Sequence, residues 1–441
     1  MLSRLKNTGP AILVTAAFIG PGTVTVCTIA GAQFHYALAW GLVVAMLSAI
    51  ALQEMAARLG VIGQKGLGET LADSLAGSVW KWPLILLVIS ALYVGNSAYQ
   101  AGNLTGAALG VAAVTGDDAS VKVYAGLIAL IAGAVFLRGS YRLIERFLIV
   151  VVLFMSLAFI TTFMVVKPNL SALLQGAVVP VIPEGGLSTL ITLIGTTVVP
   201  YNLFLHSSAA RTRWQALDRL NAVDGPRAIE GLRAVEGLRA VEGLRAVEGL
   251  RAENALKAAR SDTIISISIG GLVSILILST AAASFFGSGA VIENAGDMAY
   301  QLEPVFGDSA KYLLAAGLFA AGLSSAITAP MATAYAVSEI LGMKSDTTGT
   351  VFRFIALSVL AFGSLSALLE LRPLEIILFA QLANGLLLPI IALFLVVVMN
   401  QKSLLGKHTN TWVSNIIGLT IVVLTSSLGV RMVLSALDLL R

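Results

Sequence analysis

Two short stretches hold the residue types from which chemistry could be built. Gly20-Pro21-Gly22-Thr23 interrupts an apolar run from about Ile12 to Ala30, and Thr196-Thr197-Val198-Val199-Pro200-Tyr201-Asn202 interrupts another from about Leu187 to Leu205. A proline has no N–H and clashes with the preceding turn, and the glycines remove what helix propensity remains. Past each break a half-helix begins, near Gly22 and near Pro200 to Tyr201, with free N–H groups and the positive end of its dipole facing the gap. Thr23, Thr196, Tyr201 and Asn202 add hydroxyl and amide donors, and Gly20 and Gly22 allow close backbone approach. Such donors suit a small oxyanion such as bicarbonate, or a short carboxylate. A transition metal wants His, Cys, Met or carboxylate ligands, and a hard dication wants several oxygens including carboxylates. Neither stretch offers a carboxylate or a thioether. Dehydrating a dication in an apolar medium costs on the order of tens of kcal/mol unless anionic ligands compensate. The residues therefore lead to an expectation of no metal site and of a bound anion.

The elements that position these residues are membrane helices. Hydrophobic residues make up 57% of the 441 and charged residues only 12%, and the mean hydropathy is +0.90. Soluble domains are nearer half apolar and a quarter charged. Apolar segments of about twenty residues recur along the chain, which marks an all-α polytopic membrane protein whose medium is the lipid bilayer. In lipid, a broken helix is tolerated only where its freed backbone faces protein or a water-filled cavity, so each break lines something. Two interrupted spans half a chain apart point to a midplane substrate site. The net charge of +4 carries no implication of nucleic acid in such a chain. The single cysteine, Cys27, excludes an internal disulfide and a Cys-based zinc site. The short basic segment before Pro10 leads straight into the first span and does not resemble a cleavable signal.

The hydropathy pattern predicts eleven spans, at 11–33, 37–60, 83–111, 122–138, 143–166, 187–208, 262–286, 310–340, 352–368, 375–399 and 412–436. Basic residues flank alternate connections: Arg58, Lys65 and Lys81, then Arg138, Arg142 and Arg146, then Arg211, Arg213 and Arg219, then Lys344 and Arg353, then Lys402 and Lys407. The opposite connections hold Asp117, Asp118, Glu184, Glu293, Asp297, Glu303 and Asp308. The positive-inside rule then places the N-terminus in the cytoplasm and the C-terminus outside a plasma (inner) membrane. The 211–261 connection contains Arg227-Ala-Ile-Glu-Gly-Leu232 followed by three copies of Arg-Ala-Val-Glu-Gly-Leu ending at Leu250. A six-residue period makes no fixed face on a helix, and a glycine in each copy weakens one. This segment reads as a tolerant cytoplasmic linker, with docking of a partner as the other reading.

Around the first break the chain reads Gly9-Pro-Ala-Ile-Leu, Gly20-Pro-Gly-Thr, Ala30-Gly-Ala-Gln-Phe34, Ala37-Leu-Ala-Trp40 and Leu52-Gln-Glu-Met-Ala-Ala-Arg-Leu-Gly60. These motifs, with Ile194 to Ser208, Ala321 to Ser325, and Gln381 ahead of Leu388-Pro389, strongly resemble the Nramp family of proton-coupled divalent-metal transporters. The resemblance covers nearly the whole chain outside the repeat. It implies a LeuT-type fold: a 5+5 inverted repeat, residues 11–166 and 187–399, plus an eleventh span at 412–436, with helices 1 and 6 broken at the midplane. It also implies which positions matter. The family's Asp and Asn at the first break bind metal and stand here as Gly20 and Thr23. Its Met and His at the second break stand as Val199 and Tyr201, and Thr196 takes the place of a residue whose carbonyl helps bind the ion. The family's third span carries acidic residues linked to proton transfer. Here Pro83 to Val114 has no Asp or Glu, only Asn96, Gln100 and Asn103 as comparable polar groups. His206 remains as a proton-coupling candidate.

The expected substrate site is thus Gly20, Pro21, Gly22, Thr23, Thr196, Val199, Tyr201, Asn202 and Gln381, with no metal ligand and no cofactor. Each residue also has a plainer reading. The glycines and Pro21 can be conformational only, the threonines can bond helix carbonyls, Tyr201 can fill volume, Gln381 can bond a neighbouring helix, and His206 can be a packed, hydrogen-bonded histidine. Glu54, Glu145 and Arg146 are expected to snorkel, and His35 and His408 to be solvated. The leading expectation is a secondary transporter of a small anion. The alternatives are a proton-coupled divalent-cation transporter that takes its ion largely hydrated, and a non-transporting sensor or scaffold. No nucleophile–base pair or phosphate loop supports an enzyme.

Overall fold

The structure is a computed structural model that describes residues 20–138, 142–224, 238–289, 292–343, 349–368 and 372–436. Every element in it that crosses the bundle is a helix, as lipid requires of backbone with no water to bond. The first half of the expected first span, 11–19, lies outside the described residues. Its second half is α1 (Pro21–Phe34), which starts at a proline with Gly20 in extended conformation as its cap. There follow α2 (Ala39–Ile62), the short α3 (Leu67–Ser74), α4 (Lys81–Thr115), α5 (Val121–Arg138), α6 (Arg142–Val166) and α7 (Leu170–Val178). After them come α8 (Gly186–Thr197), α9 (Pro200–Asp224), α10 (Leu238–Phe285), α11 (Ala310–Ile340), α12 (Thr350–Ala367), α13 (Pro373–Val398) and α14 (Trp412–Ala436). Among the described residues nine helical segments are long and apolar enough to cross a membrane, with Val150–Val166 as a shorter apolar helix.

The second expected break is present. Thr197 ends α8, Val198 leaves helical geometry, and α9 restarts at Pro200. The long α4 lies at the centre, packed against α11, α12 and α13, while α1 is sandwiched between α10 and α8. The outer helices α5, α6, α12 and α14 turn Leu130, Phe154, Phe354 and Trp412 outward, as a lipid-facing layer should. Inside, the α8–α13 crossing depends on Gly195, where a Cβ would collide with the backbone carbonyl of Gln381. Small residues at such crossings let backbones approach where no hydrophobic drive separates helix from lipid.

Two expectations fail here. The described part of the repeat does not stop the helix: α10 runs unbroken from Leu238, the last residue of the first Arg-Ala-Val-Glu-Gly-Leu copy, through the last two copies to Phe285. Arg, Ala, Glu and Leu are strong helix formers, and one glycine in six costs only about 1 kcal/mol each, less than the continuity supplied by the span that follows. His35 is half-buried and only partly solvated. It takes a left-handed backbone (φ 54°), its ring lies 4.6 Å from Phe286, and partial burial pushes its imidazole below the ordinary value.

Gly195→Ala should lower the melting temperature of the purified protein by several degrees, because backbone on the facing helix cannot yield. Gly126→Ala, where nothing lies within 4 Å of the added methyl, should leave it unchanged or raise it slightly. Equal shifts for both would remove the close-crossing argument.

Candidate functional site

The two breaks meet. Thr23, in the first turn of α1, and Thr196, in the last turn of α8, share a hydrogen bond of 3.0 Å between their hydroxyl oxygens, and both are almost fully buried. The hydroxyl of Thr197 is instead spent on the Leu193 carbonyl. Gln381, on α13, closes the third side. Its amide lies over Gly22, where a Cβ would collide with Nε2, and its Oε1 is buried without a hydrogen-bond partner. Pro21 packs against Gly106 of α4. Asn202 sits in the first turn of α9, with its N–H donating to the Val199 carbonyl at 3.1 Å and its Oδ1 buried and unpartnered.

Other expected residues go elsewhere. Val199 is buried and brings no polar side-chain atom. Tyr201 packs edge-on against Tyr99 of α4, ring centroids 5.5 Å apart. His206 is bonded through Nδ1 to Oε1 of Gln53 on α2 at 2.8 Å and is buried. Since a glutamine oxygen only accepts, Nδ1 carries the hydrogen in that pair.

The site has further polar members that the motif reading passed over. Asn384 lies one turn beyond Gln381, with Nδ2 buried and unpartnered. On α4, Asn96 donates to Thr333 Oγ1 at 2.6 Å and Gln100 to the Ala326 carbonyl at 3.1 Å, both on α11. Gln100 Oε1 and Asn103 Nδ2 remain unpartnered. The signal was in the sequence, as three amides at helical spacing on one span, read there only as missing acids. Among the described residues no group of three or more His, Cys, Asp or Glu is placed so that it could hold a metal ion.

Away from the breaks, charged residues of several connections gather at the end of the bundle that carries the repeat. Arg58 of α2, its side chain 4% exposed, pairs with Glu54 at 3.2 Å and donates to the His408 carbonyl and to Asn410 Oδ1. Glu54 also accepts from Arg260 of α10 at 2.7 Å. Glu54 is therefore a bridge between helices and does not snorkel. His408 is tied in through its carbonyl, and partial burial together with Lys407 pushes its imidazole down. Glu145 and Arg146 lie outside the residues whose side chains are described.

The natural resistance-associated macrophage protein-like (Nramp) family profile matches residues 11–435. The chain belongs to the Nramp family. Two relatives share the name divalent metal cation transporter MntH. One, from Deinococcus radiodurans, is 28% identical over 342 residues, 74% of this chain and 66% of that one. The other, from Klebsiella pneumoniae, is 27% identical and spans 98% of this chain and 95% of that one. The manganese transporter of Eremococcus coleocola superposes over 97% of this chain and 86% of its own with a TM-score of 0.74, at 19% identity. MhsT, in a crystal structure in complex with L-phenylalanine, superposes over 97% of this chain and 98% of its own with a TM-score of 0.54, at 14% identity. The fold of this Nramp protein is LeuT-type, and the family is one of integral-membrane transporters.

These findings overturn the anion expectation and the partner that went with it: the named relatives are metal transporters. The geometry supplies a physical reason. The unpartnered atoms of Asn202 and Gln381 next to the breaks are carbonyl oxygens, which attract a cation, while Asn384 and Asn103 leave amide nitrogens free, so the site is not the all-donor set that an anion was expected to find. The sequence argument counted amides as donors and could not see which end each would leave free.

A double-mutant cycle on Thr23→Val and Thr196→Val should return a coupling of about 0.5–1.5 kcal/mol in unfolding free energy. Strict additivity would mean that the two hydroxyls do not share a bond.

Proposed function

We propose that this Nramp protein is a secondary transporter of hard divalent metal cations, with Mn2+ and Mg2+ as the reference substrates. The observation that carries the reading is the pair of buried, unpartnered carbonyl oxygens, Gln381 Oε1 and Asn202 Oδ1, flanking the Thr23–Thr196 hydroxyl pair where two helices break. The family match and the names of the relatives support it. All four groups are neutral oxygens. Such a set cannot replace a full hydration shell, so the ion keeps several of its waters and is held through them, a habit suited to Mg2+ and ions of similar hardness. Without sulfur, the site has nothing to prefer a thiophilic ion such as Cd2+. The substrate residues remain Gly20, Pro21, Gly22, Thr23, Thr196, Asn202 and Gln381, with Tyr201 and Val199 as packing around them. Basic residues gathered at the repeat-bearing end support placing that end, and the N-terminus, in the cytoplasm, with residues 11–166 and 187–399 as the two inverted halves.

The sign of one substitution decides between a cation and an anion. A carboxylate about 4 Å from a unit charge contributes roughly 4 kcal/mol at an effective dielectric near 20. Gly20→Asp should therefore tighten Mn2+ binding at least tenfold in calorimetry, with Gly20→Asn as the neutral control of similar bulk. Proteoliposomes should take up Mn2+ or Mg2+ and not bicarbonate, and Gln381→Leu should cut that uptake at least tenfold. Metal affinity unchanged in Gly20→Asp, or uptake of bicarbonate alone, would sink the proposal.

A further inference from the structure

Among the described residues one carboxylate is buried in the bundle, and nothing above uses it. Glu339, in the last turn of α11, has a side chain 2% exposed. Its Oε1 accepts from the Ser208 hydroxyl at 2.6 Å and from Arg211 Nη2 at 3.1 Å, both on α9. Its Oε2 has no partner of normal hydrogen-bond geometry and rests against Gly66, where any Cβ would collide with it. The adjoining α3 is held by the same half-helix: the Leu67 N–H donates to Ser207 Oγ at 2.9 Å, and Arg211 Nη1 donates to Glu69 at 2.8 Å. Three elements that are far apart in sequence thus converge on Glu339. One of them is the half-helix that starts at the second break.

We infer that Glu339 is a proton-binding site, and that its protonation unlatches α9, the half-helix after the second break, from α11 and α3. The charge arrangement supports this. Arg211 and Lys65 pair with three carboxylates, Glu69, Asp73 and Glu339. Glu69 and Asp73 have side chains 39% and 55% exposed, and water stabilises their charge. The Glu339 side chain is buried, 2% exposed. When it takes a proton, Arg211 keeps its bond to Glu69, so no cation is stranded, and the Ser208 and Arg211 contacts to α11 lose their charge-assisted strength. Among the residues of α9 whose side chains are described, the other titratable groups are Tyr201, which packs on Tyr99, His206, which is turned to Gln53, and Arg213. From α2, Glu54 and Arg58 face the separate network with Arg260. The latch needs no ion at the central site and is independent of which ion that is.

Hydrogen–deuterium exchange of the full chain in detergent tests it without any substrate. At pH 8 the amides of residues 67–74 should exchange at least tenfold faster in Glu339→Gln than in the wild type. As the pH is lowered to 5 the ratio should fall towards one, because the wild type then takes up the proton that Glu339→Gln mimics. Comparing both proteins at one pH cancels the intrinsic pH dependence of exchange. Equal protection at pH 8, or the same ratio at both pH values, overturns the proposal, since a purely structural contact would show no convergence. If Glu339→Gln does not fold, Ser208→Ala replaces it. Loss of a donor to the carboxylate should move the wild-type midpoint of deprotection to higher pH, and an unmoved midpoint counts against the latch. Failure here leaves the metal reading untouched.

Discussion

Backbone that stops being helical inside a membrane has no solvent to turn to, and that constraint organises this molecule. The start of α1 and the break between α8 and α9 have been placed so that each closes the other. Thr196 at the end of α8 bonds Thr23 at the start of α1, and α13 lays Gln381 over Gly22 to cover the remaining side. The crossing of α8 and α13 at Gly195 brings the backbones close enough for this. Around that junction α4 supplies amides and no acids, and the outer helices turn large apolar side chains such as Leu130, Phe154 and Phe354 outward. Remove the constraint and there is no reason for polar side chains from four different spans to meet.

Much of this was legible from residues alone. Proline and glycine inside apolar runs located the helix start at Pro21 and the break before Pro200, and hydropathy located the spans, because these depend on local chemistry. The repeat was misread because propensity was applied to each copy in isolation. A helix that already exists on one side extends through glycines that could not start one. Polarity at the site was misread for a different reason. Asn202 and Gln381 carry a donor and an acceptor each, and only tertiary packing decides which is used up. Gln381 has its Nε2 against Gly22 and its Oε1 left over, and no count of residue types contains that information. Glu339 was invisible for the same reason: an acid near a predicted span end looks solvated until α3 folds over it.

The chain also departs from what its resemblance to the Nramp family implied about ligands. Gly20, Thr23, Val199 and Tyr201 stand where that resemblance places Asp, Asn, Met and His, yet the fold is kept over 97% of the chain in superposition. The break geometry therefore does not depend on those ligands. It depends on Pro21, Pro200 and the hydroxyl pair, which leaves ligand identity free to vary over a fixed frame. Replacing charge and sulfur by neutral oxygen moves the energetic burden from direct coordination to retained water, so the space around the ion becomes as important as the donors that face it.

The unbroken course of α10 gives the repeat a mechanical meaning. Six residues of α-helix advance about 9 Å and turn about 600°, which leaves the far end rotated by roughly 240°. Eighteen residues make about five whole turns. Gain or loss of one copy within the helix would swing whatever is attached at its N-terminal end to a different side of the molecule, while a change of three copies would move it outward or inward and keep its bearing. Natural length variants of this segment should then fall into classes separated by three, if anything reads its orientation, and should vary freely if nothing does.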